Sequence, residues 1–183
     1  MKIALDEIQR HDHACVSFHL DTEFIDYAFR NVQTAVRRHE CGLVIAPALL
    51  QERISERLAL AGLDPERLLA TGQLNFISPD AFYLAGGSFD ADRIIEGVER
   101  SIQGMLRKGF SGLRGIGGVY DAVAEGKIDP VKLIAYEIKA QALFHQYPVS
   151  GICAYRRPSI PDSLYDQIVQ IHPYQVLRTL SLS

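Results

Sequence analysis

The sequence predicts an α/β fold, a mainly parallel sheet with helices on both faces, and three observations carry that prediction. Short apolar, strand-like runs alternate with helical patterns of roughly 10 to 20 residues, the crossover length that parallel neighbours need. Proline, glycine and capping residues fall at the joints between those patterns rather than inside them. The 183 residues, 48% hydrophobic and 22% charged, suit a single globular domain over residues 1–183, large enough to bury a full core.

Taken in order, a short leader precedes a strand at Ala14 to Phe18. Asp21 or Thr22 can then cap a helix whose apolar positions Phe24, Tyr27, Ala28 and Val32 recur at helical spacing. Gly42 to Ala46 is an apolar run with branched residues, and Pro47 ends it before a helix carrying Leu50, Ile54, Leu58 and Ala61. Leu63-Asp64-Pro65-Glu66-Arg67 reads as a capped short helix closing at Gly72. A strand at Leu74 to Ile77 and a loop reaching Gly86-Gly87 follow. Ser88 or Asp90 starts a helix with Ile94, Ile95, Val98, Ile102 and Met105 on one face, ending at Lys108-Gly109. Gly112 to Ile116 is the next strand, and a helix surrounds Leu133 to Phe144. Val149 to Tyr155 is a strand, Ser159-Ile160-Pro161-Asp162 opens a helix, and Tyr174 to Leu177 is a terminal strand.

Composition narrows the function. A net charge of −3, with only the short pairs Arg37-Arg38 and Arg156-Arg157, leaves no basic footprint for nucleic acid. No long uncharged apolar run is present, so the expectation is a soluble, unexported, cytoplasmic chain without membrane contact. Cys15, Cys41 and Cys153 form no CxxC pair and are odd in number, which favours free thiols. A nucleotide hydrolase of this architecture would carry GxxxxGK[ST] after its first strand, where this chain reads HLDTEFID, without glycine or lysine and with acidic residues that repel phosphate. The strand at Gly112 to Ile116 ends without an aspartate to hold Mg²⁺. GLRGIGG, from Gly112 to Gly118, matches neither a phosphate loop nor a dinucleotide fingerprint and reads as a tight strand-to-helix turn. No GxSxG elbow is present. No cofactor and no catalytic residue are expected.

One stretch carries candidate chemistry. In HDHACVSFH, residues 11–19, strand alternation puts His11, His13, Cys15, Ser17 and His19 on one face. Such a row is nearly straight, about 7 Å per step, whereas zinc needs ligands about 2 Å from one point. At most two neighbours could share an ion, and a third ligand would have to come from elsewhere, such as His172 or Cys153. A nucleophile and base made of Cys15 and His13 is a second reading. The reading preferred here is the polar wall of a ligand pocket, with no metal. In open α/β sheets ligands lie beyond the carboxyl ends of the strands, which adds Phe18-His19, Ala46-Pro47, Gly117-Gly118 and Tyr155-Arg156. Arg114, set within an apolar strand, needs a partner when buried, and the expected partner is Glu137 or a ligand carboxylate. With Tyr120 and Tyr155 it would complete a pocket offering thiol and aromatic surface to an apolar body and a cation to a polar head.

The chain also resembles the MEDS domain, the sensory module of methanogen and methylotroph regulators. The resemblance runs over nearly the whole chain. It is carried by His13-Ala14-Cys15, LDPERLLATGQLNFIS (residues 63–78), FYLAGGSFDADRII (residues 82–95), GLRGIGG, Tyr136-Glu137, Ile152-Cys153-Ala154-Tyr155 and His172-Pro173. It implies a RecA-like or KaiC-like domain that has lost its phosphate loop and senses small, one-carbon or hydrocarbon-derived molecules. It implies output through a separate regulator or histidine kinase, with a homodimer also allowed, and it adds Glu137, Cys153 and His172 to the ligand-binding set. An interaction module without a ligand is the alternative of another class. Where relatives have Tyr after the first strand this chain has Phe18. Where they read Gly-Glu and soon Trp, it has Gly117-Gly118 and then Asp121, with no tryptophan.

Overall fold

The alternation folds into one parallel sheet between two helical layers. The computed structural model describes residues 1–177. Among them, strands β1 (Lys2–Ile3), β2 (His13–Phe18), β3 (Cys41–Ile45), β4 (Leu74–Ile77), β5 (Leu113–Gly117), β6 (Val149–Arg156) and β7 (Tyr174–Val176) form a seven-stranded sheet ordered β1-β7-β2-β6-β5-β3-β4, all parallel. Helices α1 (Asp21–Arg37), α2 (Ala48–Leu60) and α3 (Pro65–Ala70) cover one face. Helices α4 (Pro79–Tyr83), α5 (Ala91–Arg107), α6 (Pro130–Gln146) and α7 (Asp162–Ile171) cover the other.

Local chemistry sets most boundaries. Asp64, Asp90 and Asp129 accept backbone N–H groups at the starts of α3, α5 and α6, satisfying donors that the first turn leaves free. Helix α1 departs from expectation: its cap is Leu20, and Glu23 reaches back to accept the N–H groups of His19 and Leu20 at 2.6 and 3.1 Å. Two elements lay hidden in the sequence. Strand β1 is two residues long and exists by pairing with β7, and α4 is a single turn capped by Ser78 inside the segment read as a loop.

Strand alternation divides the core in two. Ala14, Val16 and Phe18 of β2 pack with Phe24, Ala28 and Val32 of α1 on one face. Cys15 joins Cys41, Leu113 and Tyr155 under α5, α6 and α7 on the other. Each fully buried large apolar side chain contributes about 1.5–3 kcal/mol, and both faces of the central strands β2, β3, β5 and β6 are covered. Gly151 lies opposite His13 in the β2–β6 register, and a Cβ there would stand 2.5 Å from the Phe144 ring. The missing side chain lets α6 settle close to the sheet where His13 needs room.

Candidate functional site

Four parts of the fold converge beneath the second helical layer. Strand β2 supplies His13, and the register that sets Cys15 beside Cys153 turns Cys153 and Tyr155 of β6 to the same side. Helix α6 brings Glu137, Gln141 and Phe144 down at helical spacing. His172 ends α7 and leads into β7. His13, Glu137 and His172 are buried. One ligating atom from each of His13, Glu137, Cys153 and His172 falls within 4.8 Å of the others.

Glu137 is the centre. Its Oε1 accepts the Tyr155 hydroxyl and its Oε2 accepts the Cys153 thiol at 3.3 Å. The Nε2 atoms of His13 and His172 stand 3.3 and 3.4 Å from the same Oε2, and His13 Nε2 is also 3.3 Å from Cys153 Sγ. Each ring is fixed from behind. His13 Nδ1 donates to Gln141 Oε1 at 3.0 Å, an orientation set because the Gln141 amide N–H donates to His145 Nε2 at 2.7 Å. His172 Nδ1 donates to the Ile168 carbonyl at 2.7 Å. Packing completes the frame, with the His13 ring edge-on to Phe144 at 4.8 Å and 4.0 Å from the His172 ring.

Burial pulls these groups in opposite directions. It pushes the Glu137 carboxyl up, whereas protonated imidazoles beside it, by hydrogen bond and charge, would hold it well below the usual carboxylate range, a pull that neutral rings do not supply. Burial lowers the pKa of His13 despite Glu137. For the rings the Nδ1 partners decide: both are carbonyl-type oxygens, so a neutral ring carries its proton on Nδ1 and turns its Nε2 lone pair inward. Burial and the Glu137 charge push the Cys153 thiol and the Tyr155 hydroxyl well above their ordinary values, so both are protonated donors to Glu137.

Next to the cluster, a mostly apolar cavity of about 50 Å³ lies between β3, β5 and β6 and helices α4 to α6, walled by Tyr83, Gly115, Gly117, Tyr136, Phe144 and Cys153. A water needs about 10–15 Å³ on this scale, so the space holds roughly three to five groups of that size. A separate crevice of about 280 Å³ opens at the carboxyl ends of the strands, lined by Pro47, Asp80, Tyr120, Asp121 and Glu125. Its three carboxylates oppose a phosphate ligand.

The structure divides the expected site residues. His13, Glu137, Cys153, Tyr155 and His172 meet. Cys15 shares their sheet face, fully buried, but does not join the ligating group, and burial pushes its thiol up to about 12, away from the thiolate form that a His13–Cys15 nucleophile would need. Phe18 and Tyr120 lie in the opposite core, their rings 5.9 Å apart, and His19 is exposed at the start of α1. The expected Arg114–Glu137 pair is corrected. Arg114 follows Leu113 on β5 and points to the α1 side, where its Nε donates to Glu40 Oε2 at 3.1 Å and its Nη2 to the Ile8 carbonyl at 2.6 Å. The alternation of β5 is the cause. The cluster does not follow the carboxyl-end rule, because His13 opens β2 rather than closing it. Gln141 was missed, although its place four residues after Glu137 on a helical pattern was a usable signal.

A parallel sheet of this order, with an acidic turn in place of a phosphate loop, defines an α/β domain of RecA and KaiC type. The solved structure of a KaiC-like protein from the hyperthermophilic archaeon Pyrococcus horikoshii OT3 matches it with a TM-score of 0.59 at 12% identity, over 95% of this chain and 75% of that one. Comparison with curated proteins found no match. Residues 12–173 match the model of the MEDS family, the methanogen/methylotroph, DcmR sensory domain, and the chain belongs to that family. Membership assigns it a sensing or signalling role. Among the described residues no helix is long and apolar enough to cross a membrane.

Proposed function

We propose that this domain is a non-catalytic sensor that takes a small one-carbon or hydrocarbon-derived molecule into the cavity beside Cys153 and reports its presence to a separate regulatory protein. The carrying observation is the cavity itself: apolar, about 50 Å³, and bounded by the one thiol that also belongs to the polar cluster. Its size excludes a nucleotide and suits a molecule of a few heavy atoms, with apolar walls for the body and the Cys153–Glu137 edge for a polar end. Three free thiols fit a reducing compartment such as the cytoplasm.

Gly115→Ala tests the reading. A Cβ at Gly115 would meet nothing nearer than the Ser150 carbonyl oxygen at 3.8 Å, so the fold accepts it while the methyl occupies cavity space. A thermal-shift and native mass spectrometry screen of methanol, formaldehyde, methylamine and dichloromethane should find a binder for the wild type that Gly115→Ala weakens at least tenfold. A binder held equally well by both proteins would move the ligand out of this cavity. No binder in the panel would defeat the one-carbon reading.

A further inference from the structure

We propose that His13, Glu137, Cys153 and His172 form a binding site for one divalent transition-metal ion, with zinc the ion that this donor set suits. The inference goes beyond the small-ligand reading and stands without it, since an ion held by these four residues needs no occupant in the cavity.

Tetrahedral zinc with bonds of about 2.0–2.3 Å separates its ligands by roughly 3.3–3.6 Å. The spacings among His13 Nε2, Cys153 Sγ and Glu137 Oε2 are all 3.3 Å, and His172 Nε2 lies 3.4 Å from Glu137 Oε2. These match four of the six edges of such a tetrahedron, formed by atoms from two strands, one helix and the end of another, and the remaining two edges, from His172 to His13 and Cys153, stay within 4.8 Å. The straight-row objection to His13 and Cys15 does not reach this arrangement, because only His13 comes from that row.

His172 Nε2 is buried without a hydrogen-bond partner, and its side chain has 0% exposure. With its proton on Nδ1 it turns a lone pair toward a carboxylate, as His13 does. Lone pairs gathered at one buried point repel unless a cation or an extra proton stands among them.

The outer contacts are those of ligating residues. A histidine ligand characteristically donates its second N–H to a carbonyl or carboxylate, and a carboxylate ligand is itself hydrogen-bonded. Gln141 Oε1 serves His13, the Ile168 carbonyl serves His172, and the Tyr155 hydroxyl serves Glu137 Oε1. Charge closes the argument. On binding, Cys153 releases its proton to solvent, and thiolate plus carboxylate then neutralise a divalent ion between two neutral imidazoles, leaving no net charge in a buried site. Thiolate with imidazole and carboxylate favours zinc over magnesium or calcium, which select oxygen donors.

The reduced full-length protein, stripped with a chelator, is titrated with cobalt(II) and with zinc. Elemental analysis should give one equivalent of zinc. Cobalt should produce a thiolate-to-cobalt charge-transfer band with the intense visible bands of tetrahedral coordination. Cys153→Ser should abolish the charge-transfer band and Cys41→Ser should keep it. Gln141→Ala, which releases the His13 ring without removing a ligand, should weaken zinc roughly 10- to 100-fold. Folded wild type that gives no thiolate–cobalt band overturns the proposal, as does a band that survives Cys153→Ser. Should Cys153→Ser fail to fold, the wild-type stoichiometry and the Gln141→Ala affinity decide. Gly115→Ala, which touches no ligand, should leave the cobalt spectrum unchanged, so failure of the cavity reading and failure of the metal site show up separately.

Discussion

Replacing Arg114 with methionine should destabilise the fold by about 3 kcal/mol and leave the site on the opposite sheet face intact. The Arg114 and Glu40 side chains are 0% and 1% exposed and lie 3.1 Å apart. Methionine keeps much of the volume but leaves the Glu40 carboxylate buried without this partner, a loss that typically costs about 3–5 kcal/mol. Two contacts soften it. Arg10 still donates to Glu40 Oε1 at 3.0 Å, and Arg38 still donates to the Ile8 carbonyl at 2.9 Å. The lower end of the range is therefore expected, and on the scale of 2–4 °C per kcal/mol for a chain of this size it is a fall in Tm of roughly 6–12 °C. Urea denaturation provides the free energy, and Glu40→Met tested alone and combined with Arg114→Met completes a double-mutant cycle. The combined variant should be more stable than additivity allows, because removing both charges leaves neither stranded. A loss below 1 kcal/mol in Arg114→Met, or strict additivity in the cycle, would refute the buried-pair account. Altered cobalt titration in a folded Arg114→Met protein would refute the separation of the two faces.

Three further outcomes follow from single contacts. Burial pushes Cys15 up to about 12 and Cys41 up to about 11, so at pH 8 a disulfide reagent should titrate less than one thiol in native protein and all three after denaturation; rapid labelling of Cys15 in the native state would contradict its place in the core. Gly118→Ala should cost about 3 kcal/mol or more by overpacking, since a Cβ there would meet the Ala154 carbonyl oxygen at 2.1 Å, and an unchanged melting curve would show that the β5 turn adjusts freely. Millimolar ATP or GTP with Mg²⁺ should not raise Tm, whereas a ligand at a hundredfold excess over its Kd would add about 2.7 kcal/mol; a clear upward shift would count against loss of the nucleotide site.

Local features of this chain were legible because their causes are local. Asp64-Pro65 and Asp90 announce helix starts whatever packs around them, since a capping carboxylate answers donors three residues away. The apolar periods of α1 and α5 likewise state which residues face inward, and with strands between them they imply parallel crossovers and hence the fold class. The absence of glycine and lysine from HLDTEFID excludes a phosphate loop on composition alone. Strand β1 escaped notice because two residues carry no period, and α4 because one turn carries scarcely more.

What only the tertiary structure decided is which residues meet. His13, Glu137, Cys153 and His172 stood out one by one in the sequence, but 124 positions separate His13 from Glu137 in the numbering (137 − 13), and nothing local states that β2 lies between β6 and β7. That order puts Cys153 and His172 on either side of His13, and the β2–β6 register decides which side chains share its face. Arg114 shows the same dependence in reverse. Its need for a carboxylate was evident from its burial in an apolar strand, yet alternation along β5 turned it away from Glu137 and toward Glu40, at the end of the turn leading into β3. A side chain's chemistry is fixed by its identity. Its partner is fixed by strand order, register and face, which are set by the packing of the whole sheet.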